Sequence, residues 1–224
     1  MDKMSKHNYS SFLFIKSDKK YKHLLKNERV DANERLANLI ASIQENIFLR
    51  TYLLTGLHAE CDMLIWLMAP NVDFIQETWS KIANTGAGKY FNLHKCYIGL
   101  CSLDDKVQTE EICSNDFGKL KYMVMHPVVR KREWYELSTQ QQAQLYEQRK
   151  DTLKQHLGIR EHFFYSYGLD TQEMIVVRES DNLEDLAAAS KKLREQKIKL
   201  YTKIDTPCML CVGTDLMNIL RKLG

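Results

Sequence analysis

The feature that most constrains this chain is that it says nearly the same thing twice. Thr55–Leu67 (TGLHAECDMLIWL) resembles Tyr167–Val177 (YGLDTQEMIVV) with a one-residue gap, and Gly56 and Gly168 stand 112 positions apart, half of the 224 residues. Self-similarity at a fixed offset marks a duplicated structural unit. The same order of elements is read around each copy. In the first half, Ser10–Lys16 is a strand, and Lys16–Arg29 (KSDKKYKHLLKNER) reads as a solvated connection. Asp31 and Glu34 form a capping box ahead of a helix whose Leu36, Leu39, Ile40, Ile43 and Ile47 share one face. Strands follow at Phe48–Leu54 and at Met63–Met68, whose continuous apolar run suits a strand covered on both faces. Asn71 caps a helix with the stripe Val72, Ile75, Trp79 and Ile82, ending near Gly86 and Gly88, before a strand at Lys95–Cys101.

The second half runs in parallel. A strand leads into a basic turn, and Ser138 with Gln141 boxes the start of a helix expected to reach about Leu157, closed by Gly158. Asp181 and Glu184 form another box, before a helical face of Leu183, Leu186, Ser190 and Leu193. The strand Thr206–Gly213 matches the one near Cys96, and a last helix from Thr214 uses Leu216, Ile219, Leu220 and Leu223. Ser102–Lys119 is the polar connection. Each half is thus strand–helix–strand–strand–helix–strand. The expected fold is α+β, a duplicated ferredoxin-like pair packing its two sheets together as a dimeric α+β barrel within one chain. The halves divide at 1–120 and 121–224 and form one compact domain.

Composition enters by what it excludes. A net charge of +3 is too small to argue for nucleic acid, and no run approaches the roughly 18 apolar residues of a membrane span. The N-terminal stretch has no apolar region after its basic residues, so a cytoplasmic protein is expected, with its six cysteines as reduced thiols.

Several motifs look chemical. TGAGK (Thr85–Lys89) fails as a phosphate loop, because Ala83 stands where the first glycine belongs and Tyr90 where Ser or Thr belongs. Cys208 and Cys211 form a CxxC inside an apolar strand, where i and i+3 point to opposite faces, and read as structural thiols. The turn Arg130-Lys131-Arg132 beside Trp134 and Tyr135 is suited to clamping the carboxylates of a flat ligand. Arg149 shares a helical stripe with Tyr146 and Leu153, and a buried arginine there requires an anion or strong acceptors unless it reaches the helix flank. His126 shares a strand face with Tyr122 and Val124, and His162 with Phe164 and Ser166; each alone reads as a structural histidine.

Three segments carry a family resemblance. HPVVRKREWYELS, YSYGLDTQE and GLHAECDMLIWLMAP with the following TGAGKY are similar to corresponding segments of the chlorite dismutase superfamily, which includes the coproheme decarboxylases. The resemblance spans about Phe48 to Gly213. It implies a porphyrin pocket in the C-terminal half, haem or coproheme as cofactor, and a homo-oligomer, commonly a pentamer. Arg149 falls where the family carries the histidine that ligates iron, His126 where the decarboxylases carry their radical tyrosine, and His162 at the distal position. Arg130 matches a basic residue near the porphyrin carboxylates, and Trp134 a family tryptophan.

The resemblance therefore implies three readings. One is a haem-dependent oxidoreductase with rearranged ligation, in which His162 or His126 serves iron and catalysis while Arg130, Trp134 and Arg149 hold the cofactor. Another is a non-catalytic porphyrin carrier. The third is a structural oligomer that has lost porphyrin, or one holding a non-haem metal among His58, His126 and His162.

Overall fold

The computed structural model describes residues 9–101, 118, 120–156 and 158–224. The expected Ser102–Lys119 connection lies almost entirely outside them, as does Leu157. The chain divides into two compact units. One comprises the described residues up to Gly118 together with Cys211–Gly224; the other is Leu120–Leu210.

The first unit opens with β1 (Tyr9–Ser17), followed by a single helical turn α1 (Lys19–Lys22) and the helix α2 (Lys26–Gln44). Strands β2 (Phe48–Leu53) and β3 (Met63–Ala69), helix α3 (Val72–Asn84), a 3-10 turn at Gly86–Tyr90 and β4 (Phe91–Leu100) complete the duplicated motif. All seven residues of β3 are buried, as its unbroken apolar run anticipates. β1 lies antiparallel between β3 and β4, and β2 flanks β3, giving the order β4-β1-β3-β2. Asn71 caps α3 as expected, its side chain accepting from the Phe74 N–H.

Two expectations change here. The stretch read as a solvated connection is largely helical, and α2 begins at Lys26, so Asp31 and Glu34 lie inside the helix. The Glu28 carboxylate instead accepts from the Leu25 N–H at the true start. The polar stretch also hides an anchor, the fully buried Tyr21, whose hydroxyl donates to Asn33 Oδ1 at 2.6 Å. The glycines of TGAGK serve packing. Gly86 has φ +51°, and a Cβ there would run into the Ala32 carbonyl; one on Gly88 would run into the Ile82 carbonyl.

The second unit contains β5 (Tyr122–Arg130), a short α4 (Arg132–Tyr135), α5 (Thr139–Lys154), β6 (Arg160–Tyr165), β7 (Met174–Ser180), α6 (Leu183–Arg194), a 3-10 turn at Lys197–Tyr201 and β8 (Thr202–Ile204). Its order is β6-β7-β5-β8, all antiparallel. Ser138 and Gln141 form the expected capping box. α6 is capped by Asn182, which accepts from Glu184 and Asp185 N–H, whereas Asp181 accepts from the Lys121 N–H. The fourth strand of this unit is β8. The strand expected at Thr206–Gly213 is shorter, β9 (Met209–Gly213), and its end pairs with β2 through Gly213–Tyr52 and Val212–Leu53. The closing helix α7 (Leu216–Leu223) buries all four anticipated residues in the first unit's core.

The fold is α+β and ferredoxin-like in each unit. No helix among the described residues is long and apolar enough to cross a membrane.

Candidate functional site

The duplication supplies an internal control. The repeated segments align Met63 with Met174, Ile65 with Val176 and Leu67 with Arg178. In the first unit Leu67 pairs with Leu49 on β2, and Ile65 with Leu13 on β1. At the same register of the second unit, Arg178 pairs with Glu161 on β6, and Val176 with His126 on β5. Leu13, Leu49 and Leu67 belong to one apolar core. The fold is therefore content with three leucines where the second unit carries a histidine, a glutamate and an arginine.

These three side chains share a sheet face with Val128, Phe163 and Met174, because paired residues on neighbouring strands point the same way and neighbours along a strand alternate. α5 covers that face: Tyr146 meets the Phe163 ring edge-on at 5.9 Å, and the Arg149 guanidinium sits 5.7 Å from it. Arg149 is buried and fully engaged. Its Nε donates to Glu161 Oε2 at 2.7 Å and an Nη to Oε1 at 2.5 Å, with the two side chains 8% and 6% exposed. The requirement for an anion is met from within the chain. Planar guanidinium against planar carboxylate is the strongest form of such a pair.

Arg178 completes a triad. Its Nε stands 3.5 Å from Glu161 Oε1, an ion-pair contact without hydrogen-bond geometry. Its other contacts are neutral, a 2.6 Å hydrogen bond to Ser190 Oγ on α6 and His126 Nδ1 at 3.5 Å. Burial, reinforced by Arg178, Lys199, Arg149 and Arg194, holds the His126 imidazole well below its ordinary pKa. It is neutral, and Nδ1, facing an N–H donor, is the accepting nitrogen. Lys199 is held by Asp205 at 2.7 Å, and Arg194 lies 3.8 Å from the same carboxylate.

Farther along the same face of β5, Arg130 stacks over the Trp134 ring at 4.4 Å and lies 5.8 Å from that of Tyr146. Its guanidinium is buried among neutral acceptors: Thr202 Oγ1 at 3.2 Å, the Tyr146 hydroxyl at 3.3 Å and the Ile198 carbonyl at 3.5 Å. Its Nε has no hydrogen-bond partner among the described residues. The nearby Glu173 carboxylate takes the Arg130 backbone N–H instead, at 2.6 Å. A buried cation with only neutral partners is a ready seat for a carboxylate.

Of the residues singled out by sequence, Arg130, Trp134, Arg149 and His126 are thus on one side of the second sheet. His162 is on the other face of β6, its pKa pushed down to about 3, first by burial and then by Arg160. His58 is in the first unit. No group of three or more His, Cys, Asp or Glu among the described residues could hold a metal ion. The sequence reading missed Glu161 and Arg178. The available signal for Arg178 was a charge directly after the apolar run of MIVVRES, a strand buried throughout, whereas Glu161 in REHFFY had none.

The donor set answers whether an iron porphyrin fits. Arg149 is a guanidinium with no lone pair to give, already committed to Glu161. It does not fit as an iron ligand.

The model of the Chlorite dismutase family matches residues 29–214. The chain is 23% identical over 176 residues to a coproheme decarboxylase of Mycolicibacterium smegmatis, covering 77% of this chain and 75% of that protein. It superposes with a TM-score of 0.85 on an arginine-to-lysine variant of the chlorite dismutase of Candidatus Nitrospira defluvii, at 21% identity, over 97% of this chain and 95% of that one. A putative chlorite dismutase of known structure matches with a TM-score of 0.82 at 18% identity, over 96% and 99% of the two chains.

Proposed function

The chain belongs to the chlorite dismutase family, and from that premise we propose that it is a porphyrin-binding member that holds its ligand without iron-centred redox turnover. The observation that carries this reading is the bidentate Arg149–Glu161 pair, at the position where the family resemblance expects the iron ligand. Arg130 supports the binding half of it, as a buried guanidinium stacked on Trp134 whose fork meets no acidic partner among the described residues. A flat ligand bearing carboxylates suits that seat in charge and in shape.

An oxidoreductase using rearranged ligation would need His162 or His126 as the axial donor. His162 lies on the face away from α5, and His126 already turns Nδ1 toward Arg178 in a field of cations. Neither placement favours that reading. Self-association, as a pentamer or another ring, is part of the proposal on family grounds, and light scattering of the purified protein reads it directly.

The test is an absorbance titration of the purified chain with porphyrin, haem and coproheme, followed by peroxide. A saturable spectral shift without carboxylate loss from coproheme is expected, weakened about tenfold or more in Arg130→Gln through loss of one charge-assisted contact. Multiple turnovers of decarboxylation would sink the proposal.

A further inference from the structure

We infer that the first unit docks peripherally on an anionic lipid surface, through a cationic platform formed by α1, the start of α2 and the end of α7, with Leu25 as the side chain that enters the lipid. The inference is independent of the porphyrin reading above.

The platform begins in the sequence. Lys16–Arg29 holds six lysines or arginines and two acids, a net charge of +4 where the whole chain carries +3. The fold adds to it. The buried Tyr21 ties the elements together, as its hydroxyl donates to Asn33 on α2 and lies 3.3 Å from the Leu220 carbonyl on α7. A Cβ on Gly224 would stand 2.8 Å from Arg29 Cδ and 3.1 Å from the Tyr21 ring, so α7 ends beside the first turn of α2. Arg221 and Lys222, in the last turn of α7, thereby join Lys19, Lys20 and Lys22 of α1 and Lys26 of α2. All six are exposed.

These cations are uncompensated. Exposed lysines elsewhere sit beside acids three residues away, as Lys150 does with Glu147, Lys154 with Asp151 and Lys192 with Glu195. None of the six has an ion-pair partner among the described residues, and the two acids of the stretch are turned to backbone. Asp18 accepts from the Lys20 N–H at 2.8 Å, and Glu28 from the Leu25 N–H at 3.0 Å.

Leu25 supplies the second observation. It is 65% exposed at the N-cap of α2, where its side chain caps nothing and where leucine is among the poorest residues. Val30, 49% exposed, follows one turn after Lys26 on the same side of the helix. Neither helix stability nor the core accounts for an exposed leucine at that position. An apolar side chain among unpaired lysines is the composition of an interfacial anchor, in which the lysines are drawn to anionic headgroups and the leucine enters the acyl boundary. Nucleic acid would favour guanidinium forks and aromatic faces, whereas five of these six cations are lysines, point charges suited to a diffuse surface.

The test is flotation of the full-length chain with vesicles of phosphatidylcholine alone and of phosphatidylcholine mixed with phosphatidylserine. Binding to the anionic vesicles only is expected, and its loss as salt rises from about 0.1 M to about 0.5 M. Lys19→Gln, Lys20→Gln, Lys22→Gln and Lys26→Gln together should lower the partition coefficient at least about a hundredfold. Lys150→Gln, Lys154→Gln and Lys192→Gln together should change it less than about threefold. Leu25→Ser, which gives α2 a better cap, is expected to melt no lower than the wild type and to bind the same vesicles about tenfold more weakly. Absence of binding to the anionic vesicles overturns the inference. So does an equal loss from the two lysine sets, which would be an effect of net charge alone. Unaltered affinity in Leu25→Ser overturns it too, by making the platform a seat for soluble polyanions.

Discussion

Substituting Glu161 by glutamine removes one negative charge from between two buried guanidinium groups and changes almost nothing in shape. Arg149 would lose both its contacts to a carboxylate, at 2.7 and 2.5 Å, and Arg178 its ion-pair partner at 3.5 Å. The side chains involved are between 6% and 8% exposed, so water cannot take over the solvation of the cations. Breaking a buried pair from one side costs about 3–5 kcal/mol, and a carboxylate serving two arginines belongs at the upper end. Against a total stability of about 5–15 kcal/mol for a domain, that is a severe loss. The charge-free triple variant Arg149→Leu, Glu161→Leu, Arg178→Leu, built on the pattern of Leu49 and Leu67, should be neutral or more stable by about 1–4 kcal/mol. Urea unfolding followed by circular dichroism and by the fluorescence of Trp134, the tryptophan of the second unit, measures both. The ordering is the crux, with Glu161→Gln far below the wild type and the triple variant at or above it. A Glu161→Gln protein within about 0.5 kcal/mol of the wild type would refute the reasoning, since a surface pair behaves that way.

Acid should destabilise the chain before its carboxylates titrate. The folded-state pKa values of His126 and His162 lie below their unfolded ones, so the unfolded chain takes up protons that the fold refuses. The stability present above about pH 6.5 is lost as the pH falls, by at most about 1.4 kcal/mol per pH unit for each residue, and for His162 down to about pH 3. Urea midpoints measured from pH 7.5 to 5 should show this slope, and His126→Phe should lessen it. Tyr21→Phe removes a buried hydroxyl from Asn33 and should cost about 1–2 kcal/mol by thermal or urea denaturation. Gly86→Ala should lower stability by more than about 1 kcal/mol, because it imposes a side chain at φ +51° against the Ala32 carbonyl, and a melting curve reports it.

The repeat, the strand and helix order and the apolar faces were legible because each follows from periodicity over several residues. Met63–Met68 and the four buried residues of α7 are the clearest cases. Helix starts were less legible. Asp31–Glu34 and Asp181–Glu184 have the spacing of a capping box, but a second polar pair nearby, Leu25 N–H with Glu28 or Asn182 with the following N–H groups, satisfies the first turn. Spacing cannot tell two such solutions apart, since the choice depends on where the apolar face must dock. For the site, the sequence showed that a buried Arg149 would need an acceptor and could not name it. Glu161 lies 12 residues away in sequence and meets Arg149 only when α5 lies across β6, which makes the pair a tertiary fact. Arg178 was hidden for the same reason, as its partners sit on three other elements.

The closing helix has a consequence for the order in which this chain acquires structure. Leu216, Ile219, Leu220 and Leu223 complete the core of the first unit, and the Leu220 carbonyl accepts from Tyr21, 199 residues earlier. During synthesis the whole of Leu120–Leu210 emerges before α7 does. The second unit is contiguous and can consolidate while the ribosome is still at work. The first keeps an apolar surface uncovered until α7 has emerged, so deletion of α7 would leave that core open.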